Sequence, residues 1–355
     1  MTRLQALSQE NYTKKHILIN DLVSIGNVYM KKTAISTLIL ITLLTLGIVC
    51  VQPIKAQYKG NITINADGSI NPSTAPILQT SLIYSSVSDV EGSITVHTSN
   101  VILDGNGHTV SGISLQETIN VTVKNFIVAS QGERIGILLS GASNSLIVNN
   151  TITGFESIQA LNGLLFAGIH VKGGNSNTII QNKLMHNLYQ MDFINTANNV
   201  IVQNNITSNT IWNFHGPYSI GICFGSASNN IIYHNNFVNS TYLAKVSNSE
   251  NIWDNGFPDG GNYWSDYQTK YPNASVIENS GIGNTPYYIV EQNKDNYPLM
   301  EPFKATPTAE TSPTPTSSSV SAPVDFPPIT AAIVLALSVL LIVAGLVIYN
   351  QKRHR

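Results

Sequence analysis

"NNVIVQNNI", Asn198–Ile206, is an apolar triplet closed by asparagine and a further apolar residue, and the chain repeats it. "SNTIIQNKL" (Ser176–Leu184) and "NNIIYHNNF" (Asn229–Phe237) are variants of the same phrase. The pattern apolar-x-x-Asn-x-apolar fits Ile147/Asn150/Ile152, Ile179/Asn182/Leu184, Ile201/Asn204/Ile206, Ile232/Asn235/Phe237 and Ile252/Asn255/Phe257. Ten residues before each leading isoleucine stands another apolar residue: Ile137, Ile169, Met191, Ile222 and Tyr242. Two residues after the first four of these come Leu139, Val171, Phe193 and Phe224. An earlier, less regular turn runs through Ile113, Val123, Asn125 and Ile127.

The spacings from Asn125 through Asn150, Asn182, Asn204 and Asn235 to Asn255 are 25, 32, 22, 31 and 20 residues. A period near 22, with insertions, is one coil of a parallel β-helix, in which short strands stack on the coil before at ~4.8 Å. Equivalent apolar residues then form inward columns. Asn150, Asn182, Asn204, Asn235 and Asn255 are expected to form a ladder, each amide satisfying backbone groups at a bend that would otherwise lack partners. Sustained helical periodicity is missing before residue 329. A leucine-rich repeat would need leucine where this chain has Ile and Val, and a β-sandwich would not hold columns in register over five coils.

Composition agrees with a regular, amide-rich fold. Only 11% of the 355 residues are charged, the formal net charge is −2, and forty are asparagine. Disorder needs higher net charge and fewer large apolar residues. Met30-Lys31-Lys32, the apolar run Ala34–Val51 and the small residue Ala56 read as a secretory signal over 30–56, with 1–29 an upstream extension. Residues 329–349 are uncharged and long enough to cross a bilayer. The basic tail 350–355 is expected on the cytoplasmic side, which leaves the bulk of the chain extracellular. The Pro/Ser/Thr-rich segment 304–328 has the composition of a stalk. The β-helix is expected over 57–260 and an aromatic-rich cap over 261–303. Sequons at Asn61, Asn120, Asn149, Asn205, Asn239 and Asn273 are glycosylation candidates in an exported chain. The exported part holds one cysteine, Cys223, so no internal disulfide forms there.

"NVILDGNGHTVSG" (Asn100–Gly112), followed by these coils, resembles the NosD-type right-handed parallel β-helix family, a pectin-lyase-like solenoid grouped with carbohydrate-binding proteins and sugar hydrolases. "NIWDNGFPDGGNYWSDY" (Asn251–Tyr267) and "GIGNTPYYIVEQNKDNYPLMEP" (Gly281–Pro302) resemble the closing segment of archaeal surface proteins of this type. The resemblance covers about residues 90–303 and specifies fold better than function. It implies, as alternatives, carbohydrate binding, polysaccharide cleavage, or assistance in copper delivery to a reductase. Related closing segments carry several acidic residues before Gly-Ile-Gly-Asp, a calcium-type loop. Here that place holds Glu278-Asn279-Ser280 and ends in Asn284, which leaves few of the carboxylate oxygens calcium prefers.

The alignment of coils also selects a candidate site. After Ile169, Met191 and Ile222 come His170, Asp192 and Cys223, which should point outward from consecutive coils at ~4.8 Å. Two insertions, Gly154–Ala167 and Ser208–Ser219, leave the same corner and carry Phe155, Phe166, Trp212, Phe214, His215 and Tyr218. Together they would wall a cleft whose aromatics suit sugar faces. In the other reading the insertions pack down on the solenoid and the polar column is merely solvated.

Catalysis has a narrow basis. Between Gly112 and Lys245 the carboxylates are Glu117, Glu133, Glu156 and Asp192, no two in one column, whereas glycosidases need two flanking the bond. The only arginine of the exported domain is Arg134. Soft copper(I) ligands are scattered among His170, Met185, His186, Cys223 and His234, without a clustered motif. The exported domain has no basic patch, which excludes nucleic acid as a partner. The expected role is ligand binding or structural work at the cell surface, with carbohydrate or surface-layer components as partners.

Overall fold

In the computed structural model the asparagine doublets turn corners of a coil. The structure describes residues 57–156, 164–208, 211–213, 216–290 and 292–304, with Asn20, Asp21, Ser24, Asn27 and Met30. The expected anchor 329–349, nearly all of the stalk 304–328 and most of the signal lie outside these residues. Among the described residues no helix is long and apolar enough to cross a membrane. The chain divides into two units, one of Lys55–Ala309 and one of Met1–Ile54 with Glu310–Arg355.

Among its described residues the first unit is all-β apart from a four-residue helix, Tyr267–Lys270. Its strands run from β1 (Tyr58–Lys59) to β28 (Asn293–Asp295). One wall of the solenoid stacks β8 (Thr109–Gln116), β11 (Ile135–Ser140), β14 (Ala167–Lys172), β17 (Tyr189–Ile194), β22 (Ile220–Gly225) and β25 (Tyr242–Ser247), all parallel. A second wall stacks β9 (Thr122–Lys124), β12 (Leu146–Val148), β15 (Thr178–Ile180), β18 (Val200–Val202) and β23 (Ile231–Tyr233). The third wall continues the first sheet through β10 (Ile127–Ala129), β13 (Thr151–Thr153), β16 (Lys183–Met185), β19 (Asn205–Thr207) and β24 (Asn236–Val238).

Registers put like on like. Ile113, Ile137, Ile169, Met191 and Ile222 form one buried column, and Leu115, Leu139, Val171, Phe193 and Phe224 the next. Because only one residue in two faces the interior, each column concentrates apolar burial, the main stabilising term. Phe193 stacks on Phe224 at 4.9 Å between ring centroids, and Phe224 meets Trp253 edge-on at 5.7 Å.

The doublets divide two tasks between two amides. The first residue of the corner takes a left-handed φ: Asn149 (54°), Gln181 (56°), Gln203 (58°) and His234 (57°). Asparagine tolerates that conformation better than most residues with a Cβ. The second residue, Asn150, Asn182, Asn204 or Asn235, turns inward and is buried. Asn182 Oδ1 accepts the Asn150 backbone N–H at 3.0 Å, and Asn204 Oδ1 accepts that of Asn182 at 2.9 Å. Each Nδ2 donates to a carbonyl of the coil before, as Asn204 does to Ile179 at 2.8 Å.

Four details differ from the expected pattern. Asn262, not Asn255, follows Asn235, its Oδ1 accepting the Asn235 N–H at 3.1 Å. Asn255 is exposed and bonds Asp259. The fifth coil is shifted by one: Trp253 is buried while Ile252 is 53% exposed and Phe257 lies outside. Residues 254–261 leave the coil as a loop, and Asn262 and Trp264 take the places assigned to Asn255 and Phe257. Tyr242 pairs with Ile220 rather than Ile222, and is 44% exposed. At the other end Phe126, not Asn125, holds the rung position, and its N–H is accepted by Asn150 Oδ1 at 2.9 Å.

A second ladder runs parallel through Asn177, Asn199, Asn230 and Asn251. The cap closes both ladders with one hairpin, β27 (Tyr287–Val290) and β28. Asn293 Oδ1 accepts Asn251 N–H and Trp253 Nε1–H, both at 3.0 Å. Asp295 Oδ2 accepts Asn262 N–H at 2.7 Å and Trp264 Nε1–H at 2.9 Å. Trp264 lies between Phe237 and Tyr287, stacked at 4.6 and 4.3 Å, so aromatic rings seal the open end of the core.

Candidate functional site

The parallel registers fix the outer column of the first wall residue by residue: Leu138, His170, Asp192, Cys223 and Lys245. The column is not solvated. His170 is 7% exposed and Asp192 3%, and Cys223 is half-buried. His170 Nδ1 approaches Asp192 Oδ2 to 2.8 Å, too obliquely for a hydrogen bond, so this buried ring nitrogen has no hydrogen-bond partner. Burial, and then the neighbouring Asp192 carboxylate, push the Cys223 thiol up to about 12; the Lys245 ammonium pulls the other way. The thiol is therefore protonated at neutral pH and a poor nucleophile.

Beside this column, three residues nearer each strand's start, stand Tyr189, Ile220 and Tyr242. The insertion between β19 and β22 folds as a hairpin, β20 (Ile211–Asn213) against β21 (Gly216–Tyr218). Its last residue brings a third phenol to the wall. Tyr218 Oη lies 3.2 Å from Tyr189 Oη, and its ring meets Tyr189 and Tyr242 edge-on at 6.3 and 5.9 Å. Burial and this contact raise the Tyr189 phenol above its ordinary range. The Lys245 ammonium sits 4.2 Å from the Tyr242 centroid and 5.3 Å from that of Tyr218, a cation–π arrangement.

The expected cleft is only partly assembled from the residues singled out in the sequence. Tyr218 belongs to it. Phe155 does not: it is fully buried within the hydrophobic core, and its N–H is held by Asn187 Oδ1 at 3.0 Å. Phe166 is buried at the entry to β14. Trp212 lies on β20 opposite Pro217, while Phe214 and His215 fall outside the described residues. Tyr189, Tyr242 and Lys245 were not anticipated, although the signal existed: Tyr189 and Tyr242 begin equivalent strands, and Lys245 follows Cys223 in its column.

Copper does not fit the donors that are described. Among these residues no three His, Cys, Asp or Glu side chains gather as metal ligands. His170 and Cys223 are separated by the intervening strand of Asp192, so two strand spacings, ~9.6 Å, keep them apart. His234 stacks on Phe303 at 4.2 Å, and its Nε2 lies 2.9 Å from the Asp259 carbonyl. Calcium finds no cluster either: Asn284 Oδ1 accepts Ser275 N–H at 3.0 Å, so it ties its own loop. The coil carboxylates Glu117 and Glu156 are exposed away from any partner acid in the column, leaving Asp192 the one carboxylate there.

The family model described as "Periplasmic copper-binding protein (NosD)" matches residues 56–269. No curated protein and no solved structure matches the chain. The matched span is well over half of the chain and coincides with the stacked parallel coils. The chain therefore belongs to the NosD family.

Proposed function

We propose that this chain is a surface-displayed β-helix that binds carbohydrate on the outer face of its first wall. The observation that carries the reading is the group Tyr189, Tyr218, Tyr242 and Lys245. Three phenol rings and an ammonium share one face, with Tyr242 open to solvent. Tyrosine offers a sugar a flat apolar surface and a hydroxyl at its rim, which is the usual composition of saccharide sites. The coil strands β17 and β25 hold Tyr189, Tyr242 and Lys245 in register, and the inserted hairpin adds Tyr218 beside them.

The family's description as periplasmic favours an exported chain, in keeping with the signal at 30–56. All six sequon asparagines, Asn61, Asn120, Asn149, Asn205, Asn239 and Asn273, are exposed, as glycan carriers on an extracellular surface would need. The segment 304–328 and the apolar run 329–349 would hold the domain on a stalk at the cell membrane. A structural or adhesive role would use the same display. Copper delivery and polysaccharide cleavage have no support in the donor and carboxylate geometry of the described residues.

The reading is tested by probing a glycan array with the full-length chain and with Tyr242→Ala. Saccharide binding that Tyr242→Ala removes is the expected result. A blank array, or binding that survives the substitution unchanged, overturns it.

A further inference from the structure

Tyr242 has a second neighbourhood. Beyond it, between the last coil and the cap, lies a cavity of about 240 Å³ lined by Ser240, Thr241, Tyr242, Ser265, Lys270 and Tyr287, among others. The volume suits one sugar ring rather than a drug-sized ligand. The cavity shares the exposed Tyr242 ring with the tyrosine platform, so the two form one continuous surface along β25.

The charge on this surface is unbalanced. Among the described residues Lys59 and Lys124 each pair with a carboxylate, whereas Lys245 and Lys270 form no salt bridge. Both are laid on tyrosine instead. Lys245 Nζ is 4.2 Å from the Tyr242 centroid, and Lys270 Nζ is 4.0 Å from that of Tyr287. Lys270 spends one proton on the Tyr288 carbonyl, at 2.7 Å, which leaves two of its three donors. The opposing acid is Asp266, which lines the cavity beside Lys270, so the two lysines of the continuous surface face one carboxylate. Oδ2 accepts the Tyr287 hydroxyl at 3.2 Å, and Oδ1 is buried with no partner. The other acid of this wall, Asp192, is buried beside His170.

We infer that the seam between the last coil and the cap is a subsite for an acidic sugar. One ring would stack on Tyr242, with its carboxylate or sulfate on the two remaining Lys270 donors, Lys245 adding positive charge from the other side of the Tyr242 platform, and its hydroxyls on Ser240, Thr241 and Ser265. This rests on the carbohydrate reading and names the class of saccharide that the same face takes. The distance between rungs supports it: Tyr189 and Tyr242 are two strand spacings apart, ~9.6 Å, room for two successive sugar residues along the wall.

The test is calorimetric titration of the full-length chain, expressed without N-glycans because Asn239 borders the seam, with tetragalacturonate and with cellotetraose. Tetragalacturonate is expected to bind more tightly, and to weaken about tenfold in Lys270→Gln, the loss of one charge-assisted hydrogen bond. Its affinity should also fall as salt rises from ~50 to ~500 mM, since exposed charges are screened over that range. Cellotetraose binding should be indifferent to Lys270→Gln. Equal affinity for the two, preference for cellotetraose, or acidic binding unmoved by Lys270→Gln overturns the inference and leaves the carbohydrate reading standing. Failure of both sugars to bind overturns the inference, and with a blank glycan array it removes the reading beneath it.

Discussion

Asn293 and Asp295, two residues apart on β28, terminate two different asparagine ladders, each by accepting one backbone N–H and one indole N–H. The second terminus is a carboxylate for a physical reason. An interior asparagine sends its Nδ2 protons to coil carbonyls, but Asp295 is approached by donors on both oxygens, Tyr297 N–H on Oδ1 at 3.0 Å included. An amide there would turn a donor toward a donor.

Burial raises the Asp295 carboxyl strongly, the three N–H donors pull it back, and it is pushed up to about 7. A carboxyl whose folded value exceeds its unfolded value contributes stability that is present below pH ~4 and is lost as pH rises through about 7. Urea midpoints of the wild type should therefore fall between pH 4 and pH 7.5. Asp295→Asn, which cannot titrate, should be less stable at pH 4 and show a flatter profile. A wild-type profile parallel to that of the variant would contradict this.

Within the ladder the cost of losing an amide is set by how many groups it leaves unpaired. Asn204 accepts Asn182 N–H and donates to Ile179 O, Val202 O and Asn235 Oδ1. Asn204→Ala strands these buried groups and should cost about 3 kcal/mol or more. Its exposed neighbour Asn205, outside the ladder, should cost less than ~0.5 kcal/mol on the same change. Chemical denaturation of the two variants reads the difference directly.

The ladder was legible because both the amide and its apolar partners recur at coil spacing, so Asn150, Asn182, Asn204 and Asn235 announced one another. The second ladder was equally periodic, five residues upstream: Asn177 before Asn182, Asn199 before Asn204, Asn230 before Asn235. It went unread because the pattern was anchored on a single amide per coil. Asn255 misled because the loop 254–261 keeps a local Asn-x-Phe phrase after the chain has left the coil. The site was less legible for a different reason. Column membership follows from register, and it placed His170, Asp192 and Cys223 together. Whether a column is covered depends on long-range packing, which no spacing records, and so Phe155 could pass for a cleft residue while lying in the core.

Adjacent glycines show the same limit. Gly173 has φ +75° with open space around it, and Gly174 has its Cα against the Ala142 carbonyl, which an added methyl would strike. Gly173→Ala carries only the left-handed backbone strain, about 1 kcal/mol. Gly174→Ala must move one coil against the next and should cost about 2–3 kcal/mol. Thermal or urea denaturation should rank the pair in that order; the reverse order would mean that the coils yield more readily than the turn.

Cys223 tests the electrostatics of the outer column. Its thiol is pushed up to about 12 by burial first and by Asp192 second, and alkylation proceeds through the thiolate alone. In folded wild-type protein at pH 8, iodoacetamide should therefore modify Cys223 far more slowly than in urea-unfolded protein. Asp192→Asn removes the adjacent negative charge while keeping the side chain's shape, so the thiolate fraction rises and folded-state alkylation should speed up several-fold. Lys245→Gln removes the cation that favours the thiolate, and should slow it. Peptide mass mapping separates Cys223 from Cys50, the other cysteine of the chain. Opposite responses to the two substitutions identify charge as the cause, because a loosened wall would accelerate modification in both variants.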